Sequence, residues 1–175
     1  MLVLTSALQE NQKEDIWQLL KLADKEFVPA LSARRDTTQQ NLTGGEASQE
    51  GPTSYYTQML SQSFVLYVED GKVLGFLSFI PDRELEVGDH LITCDYISTI
   101  VVSPEFRNRG ITRSMYETLF KERSKRAYVT RTWSGNVAHL HLLENMGFQL
   151  IWKIENDRGA GIDTVYYKKE DTKDE

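Results

Sequence analysis

Two hydrophobic rhythms run through the chain. Over residues 10–27 the apolar positions Ile16, Leu19, Leu20, Ala23 and Phe27 recur at the spacing of an amphipathic helix, and Pro29 lies just past its end. Residues 64–68 and 72–80 are instead rich in β-branched and aromatic side chains. They flank Glu69-Asp70-Gly71, a hairpin signal with Asp-Gly at its tip. Residues 81–89 read as a second turn, and 91–102 as a long apolar strand that Pro104 ends. Helical spacing returns over 110–123, where Ile111, Met115 and Leu119 share a face with Tyr116 and Phe120 beside them. A strand over 127–132, a helix over 136–145 closed by Gly147, and strands over 148–154 and 164–168 complete the pattern. Residues 1–8 suit a short edge strand, and Thr53 suits the cap of a short helix running to residue 61.

The resulting order is β-α-α-β-β-β-α-β-α-β-β. Hairpins come first and give antiparallel neighbours. The later strand-helix-strand unit calls for two parallel neighbours. The expectation is one α/β (α+β) domain over residues 1–169. It holds a mixed, mostly antiparallel sheet of six to seven strands with helices on both faces, and residues 170–175 form a charged tail. Residues 31–52 are polar and glycine-rich without periodicity. They read as a long loop, either a lid over a ligand or a disordered insertion.

Composition narrows the function. With 175 residues the chain suits a single core. A net charge of -6 repels nucleic acid. One cysteine, Cys94, excludes an internal disulfide and a cysteine-clustered metal site, and its apolar surroundings read as core. No metal site is expected: His139 and His141 are two apart on a helix and face different ways. No segment has the length of a membrane span or the pattern of a signal peptide, so a cytoplasmic location without membrane partners is expected. Arg34-Arg35 reads as a solvated pair, or as a contact for an anionic group on a substrate.

The chemistry concentrates at Val102-Ser103-Pro104-Glu105-Phe106-Arg107-Asn108-Arg109-Gly110-Ile111-Thr112. An apolar strand ends, a proline turn follows, and Arg-x-Arg-Gly opens a helix. A helix start leaves backbone N–H groups without partners and carries positive potential. Gly110 lets an anion approach the main chain, and the two arginines add charge. The combination suits a pyrophosphate. The Walker ending and the dinucleotide glycine pattern are both absent.

Arg107-x-x-Gly110-x-Thr112 after Val102-x-Pro104 resembles the acetyl-CoA loop of the GNAT superfamily, with Thr112 where a small residue is usual. The run from Asn136 through Leu142 to Gly147-Phe148 resembles that family's second motif, with His139 in place of alanine and Leu143 in place of tyrosine. The resemblance implies an acyl-CoA N-acyltransferase-like fold whose central strands splay around the cofactor. It implies that Ile100, Val101 and Val102 line the pantetheine arm, and that Arg107, Asn108, Arg109, Gly110, Ile111 and Thr112 hold the pyrophosphate. Asn136 and Leu143 then close the other wall.

The implied activity is transfer of an acetyl group from acetyl-CoA to a primary amine of a small molecule or peptide, in a protein that resembles known dimers. Leu143 removes the usual acid, so His139, Tyr116, Tyr96 or unaided departure of the thiolate remain open. For the base, Tyr96 and ordered water are the alternatives, with Asp95 on the opposite face of the strand. A non-catalytic acyl-CoA sensor is the competing reading.

Overall fold

A computed structural model describes residues 1–124 and 126–171. Seven strands form one sheet: β1 (Leu2–Thr5), β2 (Ser63–Glu69), β3 (Lys72–Val87), β4 (His90–Val102), β5 (Ala127–Trp133), β6 (Gln149–Ile154) and β7 (Thr164–Glu170). Their spatial order is β1-β2-β3-β4-β5-β7-β6. Among the described residues only β4 and β5 run parallel; the other pairs are antiparallel. This is the mixed, mostly antiparallel sheet that the pattern predicts. No helix among the described residues is long and apolar enough to cross a membrane.

Among the described residues four helices cover the sheet: α1 (Glu10–Ala23), α2 (Thr53–Met59), α3 (Ile111–Glu122) and α4 (Val137–Asn145). The strand period of two sends neighbouring residues to opposite faces, and this sorts the core. Phe64, Leu66, Phe76 and Val101 meet Ile16, Leu19 and Leu20 of α1 and Tyr55 and Met59 of α2. Val65, Leu77, Ile97 and Val102 meet Ile111, Met115 and Leu119 of α3, together with Leu143 of α4. A third cluster, drawn from β3, β4, β5 and β7, contains Leu85, Cys94, Tyr96, Val129 and Tyr166. Burial drives the Cys94 thiol up to about 12, so it stays protonated and packs as a small apolar group.

Several boundaries differ from the sequence expectation. Residues 81–87 are not a turn but the outer half of β3, paired with β4 from Arg83↔Cys94 to Val87↔His90. Pro81 is tolerated because the register shifts between Ile80 and Arg83, leaving it outside the ladder. The shift is pinned from beneath. Buried Asp95 accepts from the Asp82 amide at 3.0 Å and from Arg123 Nε at 2.9 Å, where Arg123 closes α3. Helix α1 stops at Ala23 and tightens into a 3-10 turn over Asp24–Glu26. Thr53 is the first residue of α2 rather than its cap, and Pro52 takes the cap position. Of the expected tail, Glu170 ends β7 and residues 172–175 lie outside the described residues.

The 31–52 segment holds one 3-10 turn, Leu31–Ala33, and no further helix or strand. Its first half is packed down: Leu31, Arg34, Thr37 and Leu42 are buried. Gln62 Nε2 donates to Thr37 Oγ1 at 2.7 Å.

Candidate active site

The functional geometry begins where β4 and β5 part. They pair over three residues only, Asp95↔Tyr128, Tyr96↔Val129 and Ile97↔Thr130. Ser98 is an extra residue in β4, because Phe79 opposes Ile97 while Ser78 opposes Thr99. This bulge bends the strand and reverses which face each later residue occupies. Ile97 packs toward α3, whereas Thr99 shares a 2.6 Å hydrogen bond with Tyr55 of α2 on the other side. Ser98 Oγ donates to Gln62 Oε1 at 2.6 Å and contacts Ser78 Oγ at 2.8 Å, fixing the bulge. Beyond it, Ser98–Val102 and Arg131–Trp133 form opposite walls of a cleft of about 600 Å³.

At one end the cleft reaches the start of α3. Gly110 caps this helix at φ 75°, a left-handed conformation that a side chain would strain. A Cβ placed on it would meet nothing within 4 Å, so it borders open space. The first helical bond runs from the Ser114 amide to the Gly110 carbonyl at 3.0 Å. The amides of Ile111, Thr112 and Arg113 therefore precede the ladder and point out of the helix end. Arg107 stands over this end with Nε donating to the Val102 carbonyl at 3.1 Å. Its Nη1 lies 2.7 Å from Glu26 Oε1, which ties the loop to the turn after α1. The site is a cationic cradle with room for a phosphate.

The α4 wall presents Asn136, Ala138, His139 and Leu142. Asn136 Nδ2 donates to Thr132 Oγ1 at 3.1 Å, fixing the α4 start against β5. His139 Nε2 and the Tyr116 hydroxyl share a 2.8 Å hydrogen bond. Burial lowers the His139 pKa to about 4, so the imidazole is neutral at pH 7. Burial also raises the Tyr116 phenol, which stays protonated.

The opposite face of the sheet supplies a different environment. Along β5, Tyr128 packs toward α3 while Val129 and Trp133 face the other way, Trp133 against Phe27 at 5.9 Å between ring centres. Arg131 shares their side. Arg34, at the end of the 3-10 turn, and Arg158, between β6 and β7, line the same part of the cleft. Main-chain carbonyls anchor all three. Arg34 Nε and Nη2 donate to Pro29 O at 3.1 and 2.9 Å. Arg131 Nη2 donates to Gln39 O at 2.6 Å, and Arg158 Nη1 to Val28 O at 2.8 Å.

Most residues expected from the sequence to meet the cofactor line this cleft: Ile100, Val101, Val102, Arg107, Asn108, Gly110, Ile111, Thr112 and Asn136, with His139. Three expected residues, Arg109, Leu143 and Tyr96, do not line it. The Arg109 side chain stacks over Phe106, its guanidinium 4.8 Å from the ring centre, and does not itself line the cleft. Leu143 is fully buried in the α3 core, and Leu142 and His139 hold the wall instead. Tyr96 does not line the cleft; it is 2% exposed, and burial raises its pKa, so it is a protonated phenol rather than a base. Residues that pattern reading passed over are Ser98, Arg131 and Arg158. Arg131 was visible as a charged residue at the centre of a β-branched run; Arg158 sits in a turn with no such signal.

The model of the acetyltransferase (GNAT) family matches residues 18–148 of the chain. No curated protein matches it significantly in sequence. Among solved structures, ribosomal-protein-alanine N-acetyltransferase from Brucella melitensis superposes with a TM-score of 0.66 at 17% identity, over 97% of this chain and 99% of that one. The aminoglycoside 6'-N-acetyltransferase from Enterococcus faecium gives 0.65 at 16% identity, over 99% of both chains. An aminoglycoside 6'-N-acetyltransferase complexed with coenzyme A gives 0.66 at 16%, again over 99% of both. At such identities the likeness is one of fold.

Proposed function

Because the chain belongs to the acetyltransferase (GNAT) family, we propose that it transfers an acetyl group from acetyl-CoA to a primary amine of a small molecule or peptide. The observation that carries this reading is a strand split that opens onto unbonded helix amides beneath a glycine with free space above it. A diphosphate fits that cradle, and an extended thioester arm fits the gap between β4 and β5. Main-chain groups of residues 98–102 that point toward β5 have no strand partner there and would hold the arm. One of these N–H groups would polarise the thioester carbonyl.

Acetyl-CoA would supply the acetyl group already activated as a thioester. The acceptor nitrogen must lose its proton before attack. Glu26 is the only carboxylate among the described residues lining the cleft, and it pairs with Arg107. The proton would therefore pass to solvent entering the cleft rather than to a carboxylate of its lining. As the new C–N bond forms, the C–S bond breaks and the thiolate takes a proton. A thiol pKa near ~8.5 makes this departure easy without a strong acid, and the hydrogen-bonded Tyr116–His139 pair stands on the wall that can provide it.

Calorimetry with coenzyme A, on the protein and on Gly110→Glu, tests the cradle; the glutamate combines backbone strain with charge repulsion. Binding by the parent and a loss of about tenfold or more in the variant is expected. Equal affinity in both would sink the assignment. Binding of acetyl-CoA with no turnover across an amine panel would replace the enzyme reading with an acyl-CoA sensor.

A further inference from the structure

The cleft is strongly cationic although the chain carries a net charge of -6. Five arginines and one carboxylate line it among the described residues, and Glu26, the carboxylate, pairs with Arg107. Arg107 and Arg113 belong to the phosphate end. The other three, Arg34, Arg131 and Arg158, gather beyond the split on the α1 face of the sheet, away from α3 and α4. Arg34 and Arg158 are 8% and 6% exposed. None of the three makes an ion pair with a carboxylate among the described residues.

Burial of a guanidinium without a paired carboxylate is costly, and Asp24 and Asp157 offset only part of that cost for Arg34 and Arg158. Backbone carbonyls meet part of each hydrogen-bonding demand but carry no full negative charge. Burial, then repulsion from Arg34 and Arg131, brings Arg158 down to about 9. Burial and neighbouring cations lower Arg34 and Arg158, whereas at Arg131 the surrounding tyrosines outweigh burial and raise it, so the basin is unfavourable for the empty protein chiefly at the first two. It becomes favourable once an oxyanion arrives, since guanidinium forks match carboxylate and phosphate geometry. The place of the three arginines fits an acceptor and not the cofactor: the phosphate cradle at Gly110 lies at the α3 end, and an arm laid between the strands would separate the two. A polycationic amine would be repelled from this basin.

We propose that the acceptor is an amine that also carries an oxyanion, a carboxylate or a phosphate, and that Arg34, Arg131 and Arg158 bind that group while the amine points into the split. This deepens the transferase reading and rests on it for the direction of the amine, but the anion site has its own readout.

Matched acceptors that differ by one acidic group provide the test: L-lysine against cadaverine, L-phenylalanine against phenethylamine, and phosphoethanolamine against ethanolamine, with kanamycin as a polycation. Calorimetry on the protein saturated with coenzyme A measures acceptor binding; thiol release from acetyl-CoA measures turnover. In at least one pair the acidic member is expected to bind about tenfold or more tightly than its partner. The carboxylate and phosphate pairs identify which oxyanion is preferred. Arg131→Met is expected to bring that ratio close to one with coenzyme A affinity held within about twofold, and Arg131→Lys to retain part of it.

Preference for kanamycin or for the members without an acidic group, or a ratio that survives in both Arg131→Met and Arg34→Met, overturns the proposal. Acidic preference in binding without thiol release from any amine upholds the anion site and removes the transferase reading instead.

Discussion

Thr130 Oγ1 donates a 3.0 Å hydrogen bond to the Ile97 carbonyl at the last rung that β4 and β5 share. One residue further, Ser98 bulges and the two strands separate. The hydroxyl therefore fixes the vertex of the cleft. Thr130→Val keeps the shape and removes the donor, and a buried carbonyl that loses a partner costs about 1 kcal/mol. A loss of that order in urea unfolding is expected, together with weaker coenzyme A binding. Unchanged values for both would show that the vertex holds without this bond.

How far this site was legible depends on the period of each element. Gly110 and the apolar face of α3 could be read because the helix spacing and the arginine-glycine opening carry their physical meaning locally. The Ser98 bulge could not, because an extra residue inside LITCDYISTIVV leaves the apolar pattern intact while reversing the faces after it. That reversal is why Thr99 meets Tyr55 on the face that Tyr96 shares, opposite to Ile97. Leu143 misled for a related reason: motif spacing places it on the cofactor wall, but the turn of α4 sends it into the core and brings Leu142 and His139 forward. The arginine basin joins residues 34, 131 and 158, and no local pattern announces a meeting of segments so far apart.

Glu26 and Arg107 are bound at 2.7 Å, with about half of the glutamate side chain exposed. An exposed pair of this kind contributes little to stability. Its larger effect is electrostatic, because the carboxylate competes with phosphate for the guanidinium. Glu26→Gln is expected to leave the melting temperature almost unchanged and to tighten coenzyme A binding about two- to fivefold at low salt. The gain shrinks as salt rises. Weaker binding in the variant would mean that Glu26 positions Arg107 for the cofactor instead of opposing it.

Asp95 is fully buried and accepts from Arg123 Nε at 2.9 Å and Nη2 at 3.0 Å. That hydrogen-bonded carboxylate raises the Arg123 pKa further and joins the end of α3 to the β3 irregularity. Removing one member of such a pair costs about 3–5 kcal/mol when both are buried. Arg123 retains some solvent access, so Asp95→Asn is expected to cost roughly 2–4 kcal/mol in urea unfolding. Because Asp95 faces away from the cleft, coenzyme A affinity measured well below the melting temperature should stay near the parent value. A loss of affinity in a fully folded variant would place Asp95 in the binding machinery.

His139 gives the fold a pH dependence whose sign follows from burial. Its folded pKa is near 4, whereas an unfolded histidine titrates near ~6.5. Between these values the unfolded chain binds the proton and the folded chain does not, so stability falls as pH drops. The contribution is complete above about pH 6.5 and is lost progressively toward pH 4, a difference of roughly 1–3 kcal/mol. His139→Gln cannot titrate, and its carboxamide reaches the Nε2 position that bonds the Tyr116 hydroxyl. Urea midpoints for both proteins at several pH values between 7 and 4 isolate the effect, because the carboxylates titrate in common. The parent is expected to lose stability more steeply over this window. Parallel curves would mean that the imidazole is solvated, and the Tyr116–His139 pair could not then stand as a dry proton donor on the cofactor wall.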